Sequence, residues 1–441
     1  MLQTFKNHRI TSALCLVIVA VLMFSFFAQS GAAAGSASGD WPMFRHDLTH
    51  SGYSATAPAS SNTLLWNYTT NSVVSASPVV ADGKVYVGSD GGVAYCLSAL
   101  DGSLIWNYTV HARGRGGGSA IGSSMAVAGG YVYFGCYDRN IYCLNAATGE
   151  KVWNYTTGNT VESCPMVANG NVYVGSWDGN VYCLNAQTGD KVWNYTTAST
   201  VESSPAVTDG KVYVGSVDSF VYCLDALSGS KIWSYQTGNL VQSSPAVADG
   251  YVYVGSEDKY LYCLDAASGA QVWNFSALGW VDSSPAVAHG YVFVGCTVVD
   301  ASQNDLPSNI YCLSAATGEK VWNYTMHGGA SYSSPAVAGG LVYIGDWANN
   351  IYCLNATTGT ENWTYTTQNP INSSPAISNG IVFVGSWDHK IYALGTQQTT
   401  PQNNTNTNAL TFISIALIVI AIAAVVIVVL RRKKSVPSKA T

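Results

Sequence analysis

Three carboxylates occupy matched points of a repeating text. Glu162, Glu202 and Asp282 each stand three residues before a proline, and those prolines, Pro165, Pro205 and Pro285, are spaced by 40 or 80 residues. Carried along the chain, the same position reads Ser75, Gly122, Glu162, Glu202, Gln242, Asp282, Tyr332 and Asn372. If the repeats close into a ring, this position lies near the mouth of its axis. Three acids with the side-chain oxygens of Ser75, Gln242 and Asn372 are hard donors of the kind a calcium ion takes. The alternative is a solvated polar mouth that holds no ion.

A second set is aromatic. Trp177, Phe220, Tyr260, Trp347 and Trp387 fall in or beside one recurring loop, next to Asp and Asn. Large rings beside hydrogen-bonding groups suit a peptide or a glycan. They also suit simple packing between neighbouring loops. Two extra-length segments fall on the same side of the repeat, His111 to Gly118 and Val298 to Asn309. The first carries Arg113 and Arg115, which join the candidates for partner binding. Drift in tolerant loops is the competing explanation.

Other chemistry is poorly supported. The seven histidines are scattered without metal-ligand spacing, no Cys-x-x-Cys-His haem motif occurs, and no Gly-x-Ser-x-Gly elbow is present. Seven of the eleven cysteines (96, 143, 183, 223, 263, 312 and 353) occupy one position of the repeat. Equivalent points in neighbouring units lie too far apart for a bridge, so these read as small buried thiols. Cys136, Cys164 and Cys296 break the pattern, and a bridge among them stays open.

The elements that position these residues come from one unit written eight times. A clear copy runs Val201-Glu-Ser-Ser-Pro205-Ala-Val, then Gly210-Lys-Val-Tyr-Val-Gly-Ser216, Tyr222-Cys-Leu224, Gly229 and Trp233. The proline recurs at 78, 165, 205, 245, 285, 335 and 375, with Met125 in the eighth copy. The tryptophan recurs at Trp66, Trp106, Trp153, Trp193, Trp233, Trp273, Trp322 and Trp363. β-Branched and aromatic alternation predicts four short strands per unit: A, Ser-Pro-Ala-Val; B, Val-Tyr-Val-Gly; C, Val-Tyr-Cys-Leu; and D, Val-Trp-Asn-Tyr-Thr. Asp138, Asp178, Asp218, Asp258 and Asp388 mark the B–C turns. Four strands in about 40 residues is the signature of a propeller blade. The predicted fold is an all-β, eight-bladed β-propeller. A tryptophan strand precedes the first A–B–C set and none follows the last, so the N-terminal strand must complete blade eight. That closure leaves no open sheet edge.

Within each unit, Cys183-Leu-Asn185-Ala-Gln-Thr188-Gly189-Asp-Lys-Val-Trp193 resembles the tryptophan-docking motif of the pyrroloquinoline-quinone (PQQ) enzyme repeat, Ala-x-Asp-x-x-x-Gly-x-x-x-Trp. The opening Asp40-Trp41-Pro-Met-Phe-Arg45-His-Asp47, with Ser51-Gly52, is similar to the lead-in of such propellers. The resemblance covers about residues 40–395. It implies packing duty for the eight tryptophans, and two contrasting activities. One is a non-catalytic scaffold like the BamB branch, with no cofactor. The other is a quinoprotein dehydrogenase holding PQQ with calcium and using a catalytic Asp. The dehydrogenases carry long insertions and often an adjacent-cysteine disulfide, whereas these blades are near minimal and no adjacent pair of cysteines occurs.

The ends specify location. Residues 1–34 read as a secretory signal, basic and then apolar with small residues at the close. Residues 396–408 are a Gln/Asn/Thr-rich stalk. Residues 409–430 form an uncharged apolar run long enough to cross a bilayer as one C-terminal transmembrane helix, and 431–441 are a basic tail. The positive-inside bias puts that tail in the cytoplasm and the propeller outside the cell, in a single-pass membrane protein. The body between the ends carries 12 Lys and Arg against 25 acids, a net of −13, which argues against a nucleic-acid partner. Ten Asn-x-Ser/Thr sequons, at Asn67, Asn107, Asn154, Asn194, Asn274, Asn323, Asn355, Asn362, Asn372 and Asn403, are glycosylation candidates for an exported chain. The expected function is a cell-surface module that binds or scaffolds a protein or glycan.

Overall fold

A computed structural model describes residues 39–111, 118–299, 305–329 and 332–396. The chain divides into two units, Met1–Gln397 and Gln398–Thr441. The second lies wholly outside the described residues, as do the signal run, the stalk, the apolar run, the basic tail, Arg113, Arg115 and Asn403. No helix among the described residues is long and apolar enough to cross a membrane.

The first unit contains eight blades of four antiparallel strands, and their innermost strands neighbour one another in a closed circuit. In blade four the strands are Ala206–Thr208, Lys211–Gly215, Phe220–Asp225 and Lys231–Gln236. Strand A is one step shorter than its sequence pattern. The ladder starts after the proline because proline has no N–H to give it, and the two serines before it bond across to the next blade. Blade eight closes as expected. Leu64–Thr69 pairs antiparallel with Lys390–Gly395, with Trp66 opposite Ala393.

The core lies between blades rather than within them. One cluster joins Val221, Cys223 and Trp233 of blade four to Val252, Val254 and Tyr262 of blade five. Each D strand buries its tryptophan, and in six of the eight the following residue is an exposed asparagine, with Ser234 and Thr364 in the other two, as the alternation requires. Each indole crosses to the next blade. The Trp193 Nε1–H donates to the Ala226 carbonyl at 3.0 Å, and all eight tryptophans repeat the bond at 3.0–3.2 Å. The ring lies against the next blade's turn glycine. A Cβ on Gly229, which has φ 72°, would come within 2.7 Å of the Trp193 ring. Only glycine meets both demands. At the closure seam Trp363 finds the Ala59 carbonyl of the N-terminal segment.

The ten cysteines among the described residues are buried and unbridged. Cys136 and Cys296 stand where other blades have Ser89 or Ser176, and Cys164 stands where they have Ser204. They replace serines in separate blades and do not pair. Burial pushes the thiols of the repeated position, Cys183 among them, up to about 12.

Candidate functional site

Two residues before each proline or Met125, both serine in most blades, build the wall of the axis. The first bonds within its own blade, where Ser203 Oγ accepts the Gly215 N–H at 3.0 Å, and in several blades it also donates across, as Ser163 Oγ does to the Ser203 carbonyl at 3.0 Å. The second joins blades. The Ser204 N–H donates to Ser244 Oγ at 2.9 Å, and the same step runs through Ser284, Ser334, Ser374, Ser77, Ser124 and Cys164 back to Ser204. Eight such bonds make a continuous belt around the axis.

One end of the axis is covered by the lead-in. Its carbonyls accept inner-strand N–H groups from blade after blade: Pro42 from Val127, Leu48 from Val207, Thr49 from Val247, Ser51 from Val287 and Gly52 from Val337, each at 2.7–2.8 Å. Trp41 pairs with Val80 in the same way. Arg45 is buried and donates to the carbonyls of Pro335 and Pro285, while the His50 ring meets the Pro245 carbonyl. Desolvation lowers Arg45 to about 9 and His50 to about 4. The sequence reading quoted these residues only as part of a resemblance. Their task, plugging the axis, was not foreseen, although this is the one stretch of the body that follows no repeat.

Above the plug lies a cavity of about 370 Å³ with Phe44 in its floor. All eight positions taken from the sequence, from Ser75 round to Asn372, line it. Glu162, Glu202 and Asp282 therefore share one space, yet no three His, Cys, Asp or Glu residues among those described come close enough together to hold a metal. Asp90, Tyr137 and Trp387 also line it, and sequence reasoning missed the first two. Both occupy the B–C turn position that holds Trp177, Trp347 and Trp387 elsewhere, so aligning the turns would have found them.

The mouth has two sides. Blades three to six give Glu162, Glu202, Gln242 and Asp282, and blades seven and eight give Tyr332, Trp347 and Trp387. Tyr332 stacks on Trp347 at 6.4 Å between centroids, and Trp347 meets Trp387 at 5.6 Å. Trp177 meets Tyr137 at 6.3 Å on the opposite side. Phe220 and Tyr260 separate from this group. They start strand C and lie on Tyr222 and Tyr262 of their own blades, which is packing duty. Burial raises the acids. Asp282 is pushed up to about 8, helped by Glu257 and Glu202, and Glu162 to about 7, against the hydrogen bond it accepts from Tyr137. Gln242 Nε2 donates to Glu202 at 2.6 Å, and Ser75 Oγ to Asp90 at 3.1 Å. Asp282 Oδ1, Asp90 Oδ1, Asn372 Oδ1 and the indole nitrogens of Trp177, Trp347 and Trp387 are buried with no partner.

Around this site the turn aspartates tie adjoining loops together. The Asp178 carboxylate accepts the Tyr182 hydroxyl at 2.7 Å and the Gly158 N–H of the D–A loop at 2.7 Å. The D–A and B–C loops thus share the face on which the cavity opens.

The family model described as the outer membrane protein assembly factor BamB matches residues 54–163, 140–243, 218–305 and 307–433. The chain belongs to the PQQ-like repeat propeller family. No curated protein matches its sequence. Among solved structures, BamB from Moraxella catarrhalis aligns at 17% identity and TM-score 0.64, covering 77% of this chain and 98% of its own. A europium-containing methanol dehydrogenase aligns at 14% and 0.69, covering 82% and 98%. The quinohemoprotein alcohol dehydrogenase of Comamonas testosteroni aligns at 17% and 0.67, covering 84% and 83%. At these identities the likeness is one of fold.

The cavity lining of this PQQ-like propeller is a poor match for the quinone. PQQ is a flat tricarboxylate. The lining offers aromatic faces, but it also presents Asp90, Glu162, Glu202 and Asp282, and among the described residues it contains no Lys, Arg or His. Three added negative charges in that space would meet repulsion with no counter-charge.

Proposed function

We propose that this propeller is a non-catalytic binding or scaffold module, displayed outside the cell on a single C-terminal membrane anchor, and that it holds a protein or glycan partner at the face where the axial cavity opens. The observation that carries this reading is the contrast inside the repeat. Seven of its seams are alike, while the mouth position reads seven different residues over eight blades and carries buried polar atoms with no partner among the described residues. Buried polar groups cost stability unless a partner pairs them, so their retention points to an occupant. The exposed asparagines of the outer strands (Asn67, Asn107, Asn154, Asn194, Asn274 and Asn323, with Asn362) would make a glycosylated rim. Asn355 is engaged in capping its turn and Asn372 lines the cavity.

The test is PQQ binding by the full-length protein with and without calcium, followed by tryptophan fluorescence and melting temperature. No saturable response is expected. Calcium-dependent, stoichiometric stabilisation would replace this reading with a quinone-dependent dehydrogenase.

A further inference from the structure

We propose that the axial cavity is a receptor for an organic cation, an alkylammonium or guanidinium group, presented as a Lys or Arg side chain by a protein partner. The inference deepens the binding-module reading and rests on it.

Four observations converge. The cavity, about 370 Å³, is of the size that takes one extended side chain. Its acidic side has Glu162, Glu202 and Asp282 with no cationic side chain in the lining, and Asp282 Oδ1 is buried without a partner. An uncompensated buried carboxylate is expensive, and a cation entering beside it relieves that cost. Its other side is aromatic: Tyr332 and Trp387 line it, and Trp347 packs behind them against both rings. Ring faces attract cations, and they cover the methylene stem of a long basic side chain. A hard metal ion has neither a group of three ligands among the described residues nor any use for the aromatic wall. A neutral sugar would leave the carboxylates unpaired.

The charged groups around the acids can be named among the described residues. Asp282 faces Glu257, Glu202 and Tyr332, and Glu162 faces Tyr137, Glu202 and Asp90. Arg139, Lys259 and His389 sit in B–C turns of the same face but do not line the cavity. Arg45 and His50 are committed to backbone carbonyls in the plug. Because Asp282 and Glu162 hold protons near neutrality, cation binding must release protons and tighten as pH rises from 6 to 8.5.

The experiment titrates the full-length protein with acetyl-Gly-Lys-Gly-amide and acetyl-Gly-Arg-Gly-amide, followed by tryptophan fluorescence and calorimetry. Acetyl-Gly-Gln-Gly-amide, n-butylamine and calcium chloride are the comparison probes. One basic peptide should saturate at one site per chain, more tightly than n-butylamine, and the Gln peptide should not. Asp282→Asn and Glu202→Gln should each weaken binding at least about tenfold, while Asp101→Asn, on an exposed turn, should leave it unchanged. Asp282→Asn removes a buried repulsion, so a melting temperature at or above that of the parent shows it folded. Equal binding of the Gln peptide, unchanged affinity in both variants, saturation by calcium alone, or no saturation by either basic peptide at about 10 mM would overturn the cation site. Binding of n-butylamine as tight as the peptide would overturn the protein source. None of these outcomes touches the non-catalytic reading, which stands or falls on the quinone titration.

Discussion

The seam between blades and the mouth of the axis are made from the same eight repeats, and they have opposite character. At the seam all eight units do one thing, an indole donating to an alanine carbonyl, and in seven of them the ring also lies on a glycine of the next blade. At the mouth the equivalent position is Ser, Gly, Glu, Glu, Gln, Asp, Tyr and Asn in turn. The seam is where burial holds the ring shut, so each copy must be right. The mouth contributes little packing, so each copy is free to differ. Uniformity here marks stability, and divergence marks what the molecule can recognise.

The largest expected effect breaks the seam. Trp193→Ala removes a buried indole and one of the two donors to the Ala226 carbonyl, which keeps the Tyr173 hydroxyl at 3.2 Å. The cost should be about 3–5 kcal/mol in chemical denaturation. Gly229→Ala should also destabilise, through its φ of 72° and the clash with the same ring. The double variant should cost clearly less than the sum of the two, since each single change already spoils one contact. Additive losses would show that the indole and the glycine are not one unit.

That seam was legible in the sequence because a period-40 text with an unfailing glycine and tryptophan has few structural explanations. The closing strand was legible too, because a D strand without its A–B–C set stood at the wrong end. The ring of eight axial positions followed from counting back from each proline. What did not follow was anything that depends on a single copy. The lead-in plug has no repeat to compare with, and its Arg45 is an arginine buried on backbone carbonyls, which no hydropathy pattern announces. Phe220 and Tyr260 were grouped with Trp177 by type and proximity. Three residues along a turn and into a strand were enough to send them onto their own blade's tyrosines.

The next effect sharpens the mouth. Asp282 has a folded-state value near 8 against 3.8 for the free side chain, raised by burial first and then by Glu257 and Glu202. A raised acid contributes its stability below the unfolded value, and that contribution is lost as pH climbs through the folded value. Glu162 acts in the same sense up to about 7. These two acids therefore subtract stability between pH 4 and pH 8, against buried His50, which is lowered to about 4 and adds stability as pH rises from there to 6.5. Asp282→Asn should melt close to the parent at pH 4.5 and above it at pH 8.5, by on the order of 2 kcal/mol. A variant that gains nothing on its parent between pH 4.5 and pH 8.5 would contradict the burial of that carboxylate.

The smallest effects lie in the serine belt, where seam and mouth meet. Ser204→Ala leaves the Cys164 N–H without its 2.9 Å acceptor and should cost about 1–3 kcal/mol. Cys164→Ser is the informative opposite. The Ser124 N–H now donates to a thiol at 3.3 Å, the one belt bond whose acceptor is sulfur. A hydroxyl there makes the belt uniform, and the change should be neutral or stabilising by no more than about 1 kcal/mol in the same denaturation measurement. If it destabilised instead, the thiol would be filling volume at the cavity wall that a serine cannot. The belt would then belong with the mouth, shaped copy by copy, and not with the seam.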